Sequence, residues 1–411
     1  MNTQSNHILN FAPIQWKDVN DRNRPLLTKN NVEIVLERND ITIRYNQMVR
    51  KLEITIPGLP QMDIGSEQVA YQHLVDLLNI NALPMNAATL EGIINAIGFN
   101  NQYHPVREAI DATTWDGRSR IADVLDCLHT EQTQERDIFM TRWLISAVAA
   151  LYEQTFRAEG VLVLQGKQGI KKTSFFKSIL PVPGAYREGA TLNAGNKDSV
   201  MITTGAWVVE LGELGHTFRK SDIDALKQFI TTEEDTYRAP YGRTVISYKR
   251  RNVFIGTVND DQFLTDTENR RYWTVGVDAI DMYSGDVLQL WAEIKQLYES
   301  GQQWWLTESE RELLTQAQKS FEVKTPIEEI LSGRIDPHGT ERELNATLLL
   351  QEFGIPHPTK AERSDAVKYL RKIGCKFLTT NAKYRFSIID DTTSALKGKL
   401  VAFSSKNKGL F

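Results

Sequence analysis

Hydrophobic and polar positions change period several times along the chain, and the changes mark out four regions. The first 30 residues are polar with scattered prolines and predict an irregular arm. At 32–56 follow VEIVL, ITIRY and KLEITI, short β-prone stretches separated by polar turns. Residues 1–59 are therefore expected to hold that arm and a small β-rich region. Val69, Leu74, Leu77 and Leu78 then give one helical stripe, and Leu90, Ile93, Ile94 and Ile97 another. A turn at Trp115, Asp116 and Gly117 leads to Ile121, Val124, Leu125 and Leu128, and a longer helix carries Phe139, Trp143, Leu144, Ala147, Val148 and Leu151. Residues 60–155 read as a helical N-terminal domain.

The pattern alters at 161–164, where four apolar residues are too few for a separate globular helix and suit a buried parallel strand. Similar runs at 207–209 and 253–255, with a helical pattern at Ile223, Leu226, Phe229 and Ile230 between them, predict an α/β core over 156–325. Right-handed crossovers would line up the segments that follow those strands along one sheet edge, where chemistry is to be sought. Val287, Leu290, Trp291, Ile294 and Leu297 suit an amphipathic helix, and Thr307 with Glu310 forms a capping box for the next. Over 326–411, Thr340 with Glu343 and Thr359 with Glu362 supply two further capping signatures. Gly374 can stop the second helix, and Phe377 with residues 384–389 can form a β-wing. Helix, helix and wing predict a winged-helix-like, basic C-terminal domain.

Composition narrows the class. Of 411 residues, 41% are hydrophobic and 24% charged, as in ordinary globular proteins, and 25 Gly with 13 Pro are too few for a collagenous chain. A formal charge of -4 means that any nucleic-acid contact has to come from local basic patches. The two cysteines, Cys127 and Cys375, lie in unrelated patterns, which argues against a disulfide scaffold or zinc cluster and points to a reducing cytoplasm. No apolar run approaches the roughly 20 residues needed to span a bilayer, so no membrane role is expected.

The strongest chemical signal is VLVLQGKQGIKKTSFF. A strand ends at Leu164, Gly166 and Gly169 permit a tight loop, and Lys172 with Thr173 opens a helix, so backbone N–H groups can surround a phosphate. The pattern G-x-x-x-x-G-K-[ST] is met except at its second glycine, where Lys171 stands. Gly166, Gln168, Gly169, Ile170, Lys171, Lys172, Thr173 and Ser174 are the expected nucleotide-contacting residues. Lys172 would meet the β- and γ-phosphates and Thr173 a magnesium ion; a coincidental glycine turn is the alternative. In AWVVELGEL a strand can carry Glu210 to the same edge, with Glu213 after it, to order magnesium or an attacking water, or to serve as a solvated strand end. A third strand leads to Asn259, whose amide could hold water or sense the γ-phosphate, or cap a turn. Arg270 and Arg271 follow, one of which could reach a neighbouring subunit's nucleotide.

These motifs, in the order GKQGIKKTS, WVVELGEL, DTYRAPYGR and FIGTVNDDQFLTDTENRRYW, resemble the virulence-associated protein E family of phage and mobile-element replication ATPases, related to superfamily 3 helicases and the AAA+ fold. The resemblance implies a P-loop NTPase core in which Lys172 and Thr173 are the Walker A positions. Glu210 and Glu213 are the Walker B acids, Asn259 the polar sensor, and Arg270 or Arg271 an intersubunit arginine finger. It also implies ATP and Mg2+, a homo-oligomeric ring, hexameric by analogy, acting on single-stranded or forked DNA, and separate primase or replication proteins as partners. The glycine that the family has at position 171 is replaced here by lysine.

Between the acidic strand and Asn259, RAPYGRTVISYKRR offers Arg238, Arg243, Lys249, Arg250 and Arg251 with Tyr241 and Tyr248, and no acid. Cations neutralise phosphates and tyrosines stack on bases, so a DNA-gripping hairpin is expected, with a solvated charged hairpin as the alternative. Residues 361–411 carry 11 Lys or Arg against 4 Asp or Glu, and could bind DNA or dock a protein. The expected activity is Mg-dependent ATP hydrolysis coupled to DNA translocation or unwinding. The rivals are a nucleotide-controlled DNA-binding scaffold or initiator, and a small-molecule phosphotransferase.

Overall fold

The computed structural model describes residues 14–59, 66–190, 200–201, 203–212, 228–238, 245–259, 263–264, 270–322, 324–379 and 382–389. The chain divides into two compact units, Met1–Ser320 and Phe321–Phe411.

In the first unit the N-terminal elements are α1 (Lys29–Arg38), β1 (Thr42–Asn46), β2 (Lys51–Thr55), α2 (Ser66–Ile80), α3 (Ala87–Asn100), β3 (Gln102–Tyr103), α4 (Pro105–Asp111), α5 (Ile121–Asp126), β4 (Leu128–His129) and α6 (Thr133–Tyr152). VEIVL, expected as a strand, lies inside α1. The Thr28 side chain accepts a hydrogen bond from the Asn31 N–H and starts the helix, and Val32, Val35 and Leu36 recur at helical spacing on its buried face. Here capping and a 3–4 repeat overrode the β-propensity of valine and isoleucine. The two other β-prone stretches do pair, antiparallel, as β1 and β2. α1, β1, α2 and α3 share a hydrophobic cluster built on Val35, Ile43, Leu74, Leu78, Leu83 and Leu90.

The main sheet is parallel. β5 (Val161–Gln165), β6 (Tyr186–Ala190), β7 (Val208–Leu211), β10 (Val253–Val258) and β11 (Tyr272–Gly276) stand in the order β11-β5-β10-β7-β6. β5 and β7 are buried at every position, which is why both read as unbroken apolar runs. A separate antiparallel ribbon is made by β8 (Glu234–Arg238) and β9 (Val245–Lys249), and a short pair by β12 (Ala279–Ile280) with β4. α6 packs against β5, β10 and β11 and is buried along most of its second half. Tryptophans fasten these layers: the Trp143 indole N–H donates to the Phe254 carbonyl (2.9 Å) and that of Trp207 to the Ala147 carbonyl (2.9 Å). Trp207 also meets Trp291 of α8 (Val287–Glu299) edge to face, 4.5 Å between ring centres. α9 (Glu308–Gln318) starts at the expected Thr307 and Glu310 capping box.

The second unit contains α10 (Pro326–Leu331), β13 (Ile335–Asp336), β14 (Arg342–Leu344), α11 (Ala346–Glu352), α12 (Lys360–Lys372), β15 (Lys376–Leu378) and β16 (Lys383–Ile388). β16 pairs with β13, β14 and β15, all antiparallel. The helices and sheet enclose Leu331, Leu349, Leu350, Ala366, Leu370 and Phe386. The Thr359 and Glu362 box caps α12, and Gly374 follows that helix at φ +85°. The Thr340 and Glu343 expectation is corrected. Residues 342–344 are a strand, and Asn345 caps α11 by accepting from the Leu348 N–H. A capping box at Thr325 and Glu328, unremarked in the sequence, begins α10. Several of the described cations in the stretch read as a basic surface are engaged. Lys372 pairs with Glu322 and Glu328, Arg385 with Glu343, and Arg371 donates to the Tyr384 hydroxyl.

Among the described residues no helix is long and apolar enough to cross a membrane.

Candidate nucleotide site

Parallel pairing sets the address of each functional side chain. Phe254 faces Val161 and Val258 faces Gln165, while Ile255 stands beside Glu210 on the other neighbouring strand. The ends of β5, β7 and β10 therefore bring the loop after Gln165, the Glu210 carboxylate and Asn259 to one sheet edge.

From Gln165 the chain turns through residues 166–171 and enters α7 (Lys172–Ser178). Gly166 is tightly held, since a Cβ there would lie 2.3 Å from the Val277 carbonyl oxygen. Gly169 sits at φ +88°, and Lys171 at φ +72°. At position 171 lysine thus adopts the left-handed conformation that glycine takes without strain. The side chains of Lys167, Gln168, Lys171 and Ser174 are exposed around the loop, and that of Ile170 is half-buried.

Lys171→Gly is expected to leave thermal stability unchanged or to raise it by up to about 1 kcal/mol, because relief of left-handed strain outweighs the extra freedom of the unfolded glycine. Lys171→Val, whose branched side chain resists positive φ, should lower it by about 1–2 kcal/mol. Thermal unfolding followed by circular dichroism ranks the three proteins, and glycine below valine would contradict the account.

Beneath the loop lies Lys172, only 6% exposed. Its ammonium donates to the Gly166 carbonyl (2.6 Å), the Lys167 carbonyl (3.0 Å) and the Asn259 Oδ1 (2.9 Å). All three acceptors are neutral, and no carboxylate among the described residues makes an ion pair with it. Burial accordingly pushes its pKa down from the ordinary lysine value.

Glu210 is equally buried, at 5% exposure, and is held by hydroxyls. Its Oε1 accepts from Thr173 (3.0 Å) and Thr257 (2.7 Å), and its Oε2 from Tyr186 (2.6 Å). Burial first, then the Glu210 carboxylate it serves, pushes the Tyr186 phenol far above its usual pKa, so it stays a donor. Lys172 with Asn259 and Thr173 with Glu210 therefore form two hydrogen-bonded pairs, brought side by side by the adjacency of Lys172 and Thr173 in the chain. Tyr186 and Thr257 were missed in the sequence. Thr257 was findable, because the two-residue period of a strand places it on the same face as Asn259. Tyr186, on an edge strand, carried no comparable signal.

Thr173 and Glu210 together offer a hydroxyl and a carboxylate oxygen. That donor set suits magnesium, which is bound by few protein oxygens together with waters and substrate phosphates. Among the described residues no cluster of three His, Cys, Asp or Glu stands ready to enclose a metal unaided.

Glu213 lies outside the described residues, as do Tyr241 and Arg243 of the proposed hairpin. Arg270 and Arg271 precede β11, and the Arg271 carbonyl accepts from the Val161 N–H at the start of β5 (2.7 Å). They therefore flank the opposite end of the sheet from the 166–173 loop, roughly 16 Å away along a five-residue strand. Within one chain these arginines and the loop are apart.

The hairpin reading needs a correction at Arg250. It was expected to face DNA, but its guanidinium is buried and pairs with Asp235 (2.6 Å), donates to the Phe229 carbonyl and covers the Phe229 ring. Scanning only 238–251 found no acid because the partner lies three residues upstream, on the paired strand. Arg251 donates to the Leu151 carbonyl at the end of α6 (2.9 Å), where burial and then Arg107 lower its pKa. Tyr248 lies under the Arg50 guanidinium (5.1 Å), and Lys249 is exposed beside Gln154. Arg238 ends β8, paired with Val245 next to the undescribed 239–244.

The Virulence-associated protein E-like domain matches residues 110–323, slightly over half of the chain. The apo structure of the NrS-1 C-terminal region is similar at 13% identity and a TM-score of 0.43, covering 87% of this chain and 98% of that one. Its A form gives 11% identity and 0.42, with 87% and 99% covered. No curated protein matches the sequence.

Proposed function

We propose a nucleotide-hydrolysing function for this chain, which belongs to the Virulence-associated protein E-like family. In this reading it is a Mg-dependent ATPase of the P-loop, AAA+ and superfamily 3 helicase-like kind, working on DNA in phage or mobile-element replication. The observation that carries it is a pair of buried charges at one sheet edge, neither of which makes an ion pair among the described residues. Among the described residues the Lys172 ammonium is held by carbonyl oxygens and an amide, and the Glu210 carboxylate by hydroxyls. Burying an unpaired charge is costly, and a magnesium triphosphate supplies both missing partners.

Each side chain then has a task. The loop N–H groups and Lys172 would hold the β- and γ-phosphates, drawing the ammonium from its present carbonyl partners. Thr173 and Glu210 would hold magnesium, which when bound neutralises phosphate charge. Glu210, fixed by Tyr186 and Thr257, is poised to orient a water, and Asn259, already bonded to Lys172, links that ammonium to the end of β10. Because Arg270 and Arg271 flank the far end of the sheet, they would act on the nucleotide of a neighbouring copy, in a ring for which six subunits is the analogy. The second unit, with three helices and an antiparallel sheet, is read as a winged-helix-like module.

Purified protein with MgATP, with and without single-stranded DNA, tests the reading: turnover stimulated by DNA is expected, and no turnover under either condition rejects it. One observation favours a variant without unwinding. Arg250 and Arg251 at the base of the ribbon are committed to structural contacts, which leaves fewer cations to grip a strand. Strand displacement on a forked duplex separates the motor from a nucleotide-controlled DNA-binding scaffold.

A further inference from the structure

At the end of the parallel sheet away from the nucleotide loop lies a cleft of about 290 Å³ lined by Arg157, Arg270, Arg271, Arg311, Trp273 and Trp305. Four guanidiniums from three separate segments meet there. Among the described residues Glu159 is the one carboxylate in its lining, and it pairs with Arg157 at 3.0 Å. Among the described residues, Arg270, Arg271 and Arg311 make no ion pair. Like charges gathered in one concavity repel each other, and they focus a positive potential that an anion relieves. Trp305 is 40% exposed and braced edge to face by Trp304, 4.9 Å between ring centres. It offers an aromatic surface that is already fixed in place.

We infer that this cleft binds a segment of single-stranded nucleic acid, its phosphates on Arg157 and Arg311 and an unstacked base on Trp305, which leaves Arg270 and Arg271 to the neighbouring copy's nucleotide. Guanidinium forks match phosphate oxygens bidentately, and an indole stacks on any base. A duplex keeps its bases stacked and would leave Trp305 idle, and an acidic peptide has no base to place on it. The cleft is distinct from the 166–173 loop, and the inference requires no ATP hydrolysis. Arg157 and Arg311 have no part in the nucleotide reading, so they are the residues to change.

The test is fluorescence anisotropy of a labelled oligothymidylate with the full chain, without nucleotide, over a range of KCl concentrations. Arg157→Ala with Arg311→Ala should raise the Kd at least ten-fold and reduce the slope of log K against log salt by about 1.4, two single-strand phosphate contacts. Trp305→Ala should raise the Kd roughly ten-fold with the slope unchanged. Circular dichroism confirms folding, and the tryptophan variant gives an independent reading should the double variant fail to fold. Oligothymidylate affinity and slope like wild type in both variants overturn the inference. So does equal competition by polyglutamate of matched charge, which would mark a general anion surface. Unchanged oligonucleotide affinity with reduced ATP turnover would assign the cleft to a neighbouring copy's nucleotide and overturn it likewise.

Discussion

Lys172→Ala is expected to lower ATP turnover by about 10²–10³-fold, the usual cost of removing one preorganised charge from a phosphoryl-transfer site. The size of the effect follows from placement. The ammonium is buried, fixed by three neutral oxygens, and has no carboxylate partner among the described residues, so a bound phosphate would supply its counter-charge. Lys172→Arg should fail nearly as badly, because a planar fork cannot replace a compact ammonium in a pocket closed by the Gly166 and Lys167 carbonyls. Steady-state kinetics beside circular dichroism checks this. A well-folded Lys172→Ala protein with wild-type turnover would remove the phosphate site from its assigned place.

The second large effect concerns stability. Asp235 is buried between two guanidiniums, Arg250 at 2.6 Å and Arg50 at 3.4 Å, with all three side chains only 5–6% exposed. Asp235→Ala removes the carboxylate that sits between two buried cations and should destabilise the protein by about 3–5 kcal/mol, read as a lower urea midpoint of the Met1–Ser320 unit. Replacing Arg50 and Arg250 by methionine in the same background should recover much of the loss, since an apolar substitute leaves no unpaired charge. A change below about 1 kcal/mol on Asp235→Ala would show that the triad is solvated. The triad matters beyond stability because Arg50 sits in the turn between β1 and β2. It ties the β8 and β9 ribbon to the N-terminal layer.

How much was legible depended on whether the signal was local. The buried strands at 161–165, 208–211 and 253–258 announced themselves as apolar runs, and the order of motifs along the chain led to Lys172, Thr173, Glu210 and Asn259, which the structure holds as two hydrogen-bonded pairs at one sheet edge. The capping boxes at Thr307 and Thr359 are equally local and were readable. What escaped was tertiary. Tyr186 reaches Glu210 from the next strand, Arg250 finds its acid across a ribbon, and Lys372 of α12 pairs with Glu322 and Glu328, acids outside the basic window. A charge count along the sequence cannot tell an exposed arginine from one that is paired and buried. α1 was misread for a different reason: valine and isoleucine carry β-propensity, but Thr28 and the 3–4 spacing decided the outcome. Position 171 shows a third kind of limit, in which a motif rule specifies glycine while the backbone accepts a strained lysine.

The account rests on Lys172 and Glu210 being two halves of one magnesium triphosphate site. Calorimetric titration of ATP into the protein, with magnesium and then with excess chelator, tests that most directly. Saturable binding at one site per chain that weakens at least ten-fold without the metal is the expected result. Absence of saturable binding at millimolar ATP, or binding indifferent to magnesium, would contradict it.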